Sequence, residues 1–249
     1  MEARLEEQLT HRAIKMIADA LKKVDGKYVS YQSTKEDIRE LCDKNVKAHV
    51  ERCFAYELYH QIRCQMDSED YKNWDGIIEV NAEVPKEIFN SPKATIGKNL
   101  YPDMVIHGGQ GCTDKNLQLV VCEIKRNVNI HKLCDEDIKN DLIKLAWYIE
   151  TLQHVGCDVG FKAGCFIMTN ATKAELEKSI SRIIRNEDVI IEYGRNSFRL
   201  EEVARKIMIF SYKLEKSNSD KTDNIPDVDS FPLSDMYAKK KEGITDLNG

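Results

Sequence analysis

Two charged residues interrupt an otherwise apolar segment near the middle of the chain, where residues 117–125 read L-Q-L-V-V-C-E-I-K. Side chains alternate between the two faces of a β-strand, so Glu123 and Lys125 share one face of the strand that this segment predicts. A charged side chain is costly to bury unless it is paired or binds a metal, so this pair needs a physical explanation. An earlier apolar segment, residues 104–106, predicts a second strand, and Asp103 directly precedes it. Asp103 therefore adds a third charged group at the same end of the two predicted strands.

Carboxylates grouped in this way suit a hard divalent cation such as Mg2+ or Mn2+, because these ions bind oxygen ligands and keep several of their waters. A lysine beside them can hold a water or stabilise the negative charge that develops on a phosphoryl oxygen. The residue types of Asp103, Glu123 and Lys125 therefore fit the hydrolysis of a phosphodiester. The alternative is that Glu123 and Lys125 form a structural ion pair at the end of a strand.

The elements before this pair are predicted from the spacing of apolar residues. Helical spacing predicts helices at residues 1–24 and 45–66, and alternation predicts a first strand at residues 75–84. Glu57 lies on the apolar side of the second helix, three residues after Phe54. Such a carboxylate either reaches water along the edge of the apolar stripe or points into a site.

After the pair, residues 135–152 predict a helix, and residues 163–169 predict a strand that is buried on both faces. A strand, a helix and a strand in succession favour a crossover connection and parallel pairing. Within the helix, Asp141 and Lys144 are either an ordinary surface pair or a pair whose lysine faces the charged strand. Further elements are predicted as a helix at residues 173–185, an edge strand at 189–193 and a last helix at 200–214.

The order of these features resembles the PD-(D/E)xK nuclease superfamily, which has the restriction-endonuclease-like fold. The matching motifs are Pro102-Asp103 on one strand and Glu123-Ile124-Lys125 on the next. The D-x-x-K-L pattern that begins at Asp141 is similar to one found on the helix after the second motif. The resemblance covers residues 45–169, about half of the chain.

The resemblance implies a role for each matching residue. Asp103 and Glu123 would bind Mg2+ or Mn2+ together with the backbone carbonyl of Ile124, and Lys125 would orient or activate the attacking water. An acidic residue on the helix before the sheet commonly points at the metal in this superfamily, and Glu57 matches it best. Apart from the resemblance, Glu83 and Lys86 either line the same cleft or lie at a solvated strand end, and Lys144 is a further candidate cleft residue.

The composition limits the function in other ways. The net charge is -5, so any nucleic-acid surface has to be local. There are eight cysteines but no CxxC pair, and the first residues lack the apolar core of a signal peptide, so we expect reduced thiols and a cytoplasmic location. No apolar run approaches the roughly 20 residues of a membrane span, so we expect no membrane partner.

Taken together, the sequence predicts an α/β protein with a mixed sheet of four or five strands, flanked by helices and preceded by a helical extension. We expect a helical element at residues 1–44, a nuclease-like domain at 45–214 and a polar tail at 215–249 with one docked segment near residues 231–237. The expected function is metal-dependent phosphodiester hydrolysis with DNA as the partner; a homodimer stays open. The alternatives are an idle nuclease fold with a binding or regulatory role, and an interaction module without metal affinity.

Overall fold

The structure, a computed structural model, describes residues 2–28, 43–74, 77–82, 102–109, 117–127, 133–154, 160–186, 188–193, 196–214 and 226–242. Its helices are α1 (Glu2–Leu21), α2 (Asp43–Met66), α3 (Asp135–His154), α4 (Lys173–Asn186), α5 (Leu200–Val203) and α6 (Leu233–Lys241). Its strands are β1 (Ile78–Ala82), β2 (Met104–Gly108), β3 (Gln118–Arg126), β4 (Ala163–Thr169), β5 (Ile190–Tyr193), β6 (Asn196–Arg199), β7 (Ile207–Leu214) and β8 (Pro226–Pro232). Short 3-10 helices cover Gly26–Tyr28, Glu69–Trp74 and Ala204–Lys206.

A mixed sheet of six strands forms the centre of the fold, in the order β1-β2-β3-β4-β7-β8. The three middle strands, β3, β4 and β7, are parallel, while β1, β2 and β8 run antiparallel to their neighbours. The predicted α/β class and the parallel crossover through α3 are therefore confirmed. The sheet is larger than the four or five strands predicted.

Helices cover both faces of this sheet. α1 and α2 pack on one face, against side chains such as Ile124 of β3. α3, α4 and α6 pack on the other face, against Val121 of β3 and Phe166 of β4. Because successive strand residues point to opposite faces, Glu123 and Lys125 are directed toward α3.

Most elements of the first two thirds of the chain lie where the sequence predicts them. α1, α2, β1, α3 and α4 begin and end within a few residues of their predicted bounds, and β4 matches its prediction residue for residue. The apolar periodicity of these segments arises because each has one buried stripe or, in β4, two buried faces. Ser33 and Glu36 have the spacing of a capping box and predict a further short helix through Leu41, which lies outside the described residues.

The predicted helix at residues 200–214 is wrong. It is a single turn, α5, followed by a 3-10 turn and then by strand β7, which pairs with β4 inside the sheet. Val203, Ile207 and Phe210 have helical spacing, but they belong to different elements. Ile207 faces the α3 side of the sheet, whereas Phe210 faces the α2 side. A strand that is buried on both faces has no polar face to reveal its period.

Two further predictions about the second half of the chain need correction. The predicted edge strand at residues 189–193 pairs with β6 in a separate hairpin and does not join the main sheet. The C-terminal segment docks over a longer stretch than residues 231–237, because β8 pairs with β7 and α6 packs on the α3 side. Phe231, Leu233 and Met236 are buried there.

None of the helices in the described part of the chain combines the length with the apolar character that crossing a bilayer requires.

Candidate active site

The predicted motif residues meet at the start of β2 and the carboxyl end of β3. β2 and β3 are antiparallel, with Met104 opposite Cys122, and this register places Asp103 beside the end of β3. The Asp103 Oδ2 atom accepts a hydrogen bond of 2.6 Å from the backbone N–H of Ile124. The structure therefore joins the two motifs through a direct contact.

Helix α3 completes the group by supplying Asp141 and Lys144. The Lys144 Nζ atom lies 3.2 Å from Glu123 Oε2 and 2.6 Å from Asp141 Oδ1. The Lys125 Nζ atom lies 3.7 Å from Asp141 Oδ2. The charged cluster, defined as Asp103, Glu123, Lys125, Asp141 and Lys144, thus links the strand motif to α3.

These contacts answer two questions that the sequence left open, one about the Asp141–Lys144 pair and one about the Glu123–Lys125 pair. Asp141 and Lys144 are not a surface pair, because Asp141 is only 3% exposed and its lysine also contacts β3. Nor do Glu123 and Lys125 simply neutralise each other, since each has an ion-pair partner on α3. Glu123, at 3% exposure, is among the most buried charged residues described.

The carboxylate that α2 brings to this region is Glu51, and not Glu57. The Glu51 Oε2 atom accepts a hydrogen bond of 3.2 Å from the backbone N–H of Arg126 at the end of β3. The described contact of Glu57 is with Gln61, whose side-chain amide donates to it at 2.7 Å. The structure therefore does not bring Glu57 to the charged cluster.

A signal in the sequence could have identified Glu51. It lies three residues before Phe54 and seven before Leu58, so it shares the helix face of two residues that are fully buried. Glu57 lies on a different part of the helix surface, although it too is three residues from Phe54. The apolar stripe of α2 has two edges. Glu51 lies at the edge that faces β3, and Glu57 does not.

Burial and like charges perturb the pKa values of the carboxyl groups. Burial raises the pKa of Asp103 to about 7; the Ile124 N–H opposes this shift, and Glu51 and Asp141 add to it. Burial also raises the pKa of Glu123 well above its ordinary value, with a further contribution from Asp103. Burial, together with the neighbouring carboxylates, therefore disfavours the ionised forms of Asp103 and Glu123.

The two lysines behave in the opposite way. Burial alone would lower the pKa of Lys125, but Asp141 and Glu51 outweigh burial and raise it. Glu123 and Asp141 likewise raise the pKa of Lys144. Both lysines are therefore protonated at neutral pH and act as hydrogen-bond donors, not as bases.

Two buried polar atoms beside the cluster have no hydrogen-bond partner among the described residues. They are Oε1 of Glu123 and the hydroxyl oxygen of Tyr148, one helical turn after Lys144 on α3. The pKa of Tyr148 is raised by burial and by the charges of Glu123 and Asp103. An unpartnered carboxylate oxygen in such a place is an unfilled coordination or hydrogen-bonding position.

The residues fit a divalent cation in part. Glu123 offers a free oxygen, Asp103 lies beside it, and the Ile124 carbonyl is on the same strand. No three His, Cys, Asp or Glu side chains in the described ranges are arranged to hold a metal ion. Two carboxylates with a carbonyl and several waters are a known way to hold Mg2+, so the observed set is sufficient in kind.

Of the three predicted cleft residues, Lys144 lies among the described residues. Glu83 and Lys86 lie outside the described residues, whereas Lys144 contacts the cluster directly. Asp141 and Tyr148 were not among the residues to which the sequence assigned a site role.

Comparisons of this chain with models of protein families, with curated proteins and with solved structures found no match.

Proposed function

We propose that the protein is a metal-dependent nuclease of the PD-(D/E)xK type with a restriction-endonuclease-like arrangement, acting on phosphodiester bonds, with DNA as the expected substrate. The observation that carries the proposal is the buried Glu123 carboxylate. One of its oxygens has no partner among the described residues; Asp103 lies beside the end of β3, and Lys125 follows two residues later on the same face of the strand. Fixing a buried carboxylate with an unfilled oxygen is costly, and a bound cation would offset that cost.

In this proposal Asp103, Glu123 and the carbonyl of Ile124 hold Mg2+ or Mn2+. The bound cation supplies Lewis-acid activation of water and neutralises charge on the phosphoryl group. Lys125, protonated because its pKa is raised, donates a hydrogen bond that orients the attacking water or stabilises a phosphoryl oxygen.

Asp141 and Glu51 act by positioning. Asp141 contacts both lysines, so it fixes their ammonium groups relative to the end of β3. Glu51 holds the backbone of Arg126, which fixes the last residues of the strand motif. Such support matters because a small displacement of a reacting group lowers the rate strongly.

A second candidate is a nuclease fold without turnover that serves as a binding or regulatory protein. The observation that favours it is the Lys144 ammonium, which bridges Glu123 and Asp141 and already neutralises part of the cluster. On this view the lysine replaces a cation, and the cluster has a structural role.

A cleavage assay tests the first candidate. Plasmid, linear and single-stranded DNA and RNA are incubated with Mg2+, with Mn2+ and with EDTA. The variants are Lys125→Met and Glu123→Gln, and the matched control is Lys22→Met, which removes an exposed lysine on α1. We expect metal-dependent cleavage by the wild type and the control, and a loss of at least about 100-fold in the two cluster variants. Equal cleavage by all four proteins would exclude the cluster as the active site.

Calorimetric titration with Mn2+ distinguishes the two candidate functions by metal binding, without an activity measurement. The nuclease proposal expects one site that Glu123→Gln weakens at least tenfold and that Lys22→Met leaves unchanged. An inactive wild type that also binds no metal would support the idle fold and reject the nuclease.

A further inference from the structure

Arg126 follows Lys125 directly and has an unusual environment. It is half-buried at the end of β3, and its Nε atom is fully buried without a hydrogen-bond partner among the described residues. Its backbone N–H donates to Glu51, but the described contacts include no hydrogen bond or ion pair of its guanidinium group. A buried donor of a permanently charged group is therefore left unsatisfied.

Two other arginines in the described part of the chain, Arg182 and Arg12, are held by partners. Arg182 forms two hydrogen bonds to the Asp135 carboxylate, at 2.7 and 2.8 Å. Arg12 lies over the rings of Tyr71 and Trp74, at 5.4 and 5.1 Å, and donates to a backbone carbonyl. These guanidinium groups have evident structural roles, and Arg126 has none of this kind.

The hydrogen-bonding geometry of a guanidinium group indicates which kind of partner Arg126 lacks. It carries five N–H donors in a planar fork that matches the oxygens of a carboxylate or a phosphate. Withdrawing it partly from water without such a partner is unfavourable. The Nε atom itself is inaccessible, but Arg126 keeps some exposed surface, and an anion that reaches the accessible part of the guanidinium group would pair with its charge.

The position of Arg126 favours a phosphate that belongs to the substrate. Lys125 and Arg126 are consecutive strand residues, so their side chains leave β3 on opposite faces, one toward α3 and the other toward α2. A polymer of phosphates that crosses the carboxyl end of β3 would therefore meet both cations. The two contacts would involve neighbouring phosphates, and only the one beside Lys125 lies at the charged cluster.

We propose that Arg126 binds a backbone phosphate of a nucleic-acid strand, adjacent to the phosphate that is hydrolysed at the charged cluster. This inference rests on the proposed function, because it assumes that the substrate is a polymer of phosphodiesters. Arg126 contributes to affinity and to the path of the strand, and it does not take part in bond cleavage.

Binding without cleavage tests the inference. The anisotropy of a fluorescent single-stranded oligonucleotide is measured in EDTA over a range of salt concentrations. The variants are Arg126→Gln and Arg126→Lys, and the matched control is Arg63→Gln, at an exposed position twelve residues after Glu51 on α2. We expect Arg126→Gln to weaken binding about tenfold and to reduce the slope of log K against log salt by about one. Arg126→Lys keeps the charge and should lose less affinity than Arg126→Gln.

Thermal unfolding of the same variants excludes a structural explanation. Arg126→Gln keeps the backbone N–H that Glu51 accepts and removes no described hydrogen bond of the guanidinium group, so the unfolding temperature should stay close to that of the wild type. A lower unfolding temperature that accompanies the loss of binding would overturn the inference. So would wild-type affinity and salt slope in Arg126→Gln.

A second measurement separates this inference from the proposed function. The Nε–H resonances of arginine are followed by NMR during titration with inorganic phosphate, and Arg126→Gln identifies the signal. A selective shift of the Arg126 signal supports the anion site even if the wild type cuts no nucleic acid. An unchanged signal at saturating phosphate, together with unchanged oligonucleotide binding, would reject the anion site while leaving the cleavage proposal intact.

Discussion

Asp141 is the residue on which both lysines of the charged cluster depend. Its two carboxylate oxygens contact different lysines, Lys125 on β3 and Lys144 on the same helix. Exposed ion pairs contribute little to stability, but a buried pair that loses one partner leaves an uncompensated charge. The burial of Asp141 therefore makes it the most sensitive member of the cluster.

We predict that Asp141→Asn lowers the free energy of unfolding by about 3 kcal/mol, because it leaves the partly buried Lys125 without its carboxylate and Lys144 with Glu123 alone. Urea denaturation measures the change. Asp19 on α1 provides a control, since it also pairs with two lysines, at 3.9 and 3.5 Å, but on the surface. Asp19→Asn should cost less than about 1 kcal/mol. Equal costs for the two variants would contradict the role given to burial.

A second prediction concerns the pH dependence of Asp103. Its raised pKa means that the folded protein binds this proton more tightly than the unfolded chain does. The stability contributed by Asp103 is therefore full below about pH 4 and is lost as the pH rises through 7. In EDTA, the unfolding free energy of the wild type relative to Asp103→Asn should fall by on the order of 2 kcal/mol across this range.

The control for this measurement is Asp227→Asn, an exposed position on β8. It removes a carboxylate that faces solvent, so a change shared by both variants would come from the loss of a carboxylate in general. A constant difference between the wild type and Asp103→Asn would show that Asp103 titrates normally.

At the residue scale the sequence identified the charged strand but not its surroundings. Glu123 and Lys125 are conspicuous because charged side chains are rare in so apolar a strand. The position of Asp103 beside them follows from the pairing of the two predicted strands. Glu51 could have been found on the buried stripe of α2, but the choice between Glu51 and Glu57 depends on how that helix rotates against the sheet. Periodicity does not determine that rotation.

At the scale of secondary-structure elements, α3 has to lie close to β4 for its charged residues to reach β3. Gly164 of β4 makes this approach possible. A Cβ atom added there would lie 3.2 Å from Cδ1 of Ile149 and 3.4 Å from Cβ of Leu145, both on α3. The absence of a side chain at this position thus sets the distance between the helix and the sheet.

We predict that Gly164→Ala destabilises the protein by about 1–2 kcal/mol, because the added methyl group displaces α3. Ile149→Val removes the Cδ1 atom that the methyl group would meet, so the double variant should be more stable than the sum of the single changes implies. A double-mutant cycle in urea measures this coupling. Strictly additive costs would show that the helix does not limit the space at residue 164.

Strand β7, which the sequence predicted as part of a helix, has an ambiguous pattern. The residues of β7 are apolar on both faces, so the segment fits a helical period as well as a strand. Its β-branched and aromatic run favoured a strand, but the preceding turn of helix, α5, extended the helical pattern into it. The alternating β1 and the amphipathic α4 had no such ambiguity.

At the scale of the whole molecule, the C-terminal segment completes the core on the α3 side of the sheet. Phe231, Leu233 and Met236 are no more than 5% exposed. Their sequence neighbourhood is polar and contains prolines, which is typical of a tail, and the pairing of β8 with β7 is a long-range contact that local composition does not reveal.

We predict that Met236→Ala lowers the free energy of unfolding by about 2–5 kcal/mol, the range for a large side chain removed from a core. Lys239→Ala, three residues later on α6 at a half-exposed position, is the control and should cost about 0.5 kcal/mol or less. Denaturation monitored by circular dichroism compares them. A negligible effect of Met236→Ala would mean that the segment is an independent appendage.

Strand β8 also has a consequence for self-association. An open sheet edge is a template on which a further strand can add, and proteins block such edges with prolines and charges. β8 begins and ends with proline, and Asp227 and Asp229 are exposed along it. Two copies that met edge to edge here would bring like charges together and would lack amide donors at both prolines. This border of the sheet is thus protected against the addition of strands that leads to fibrous aggregates.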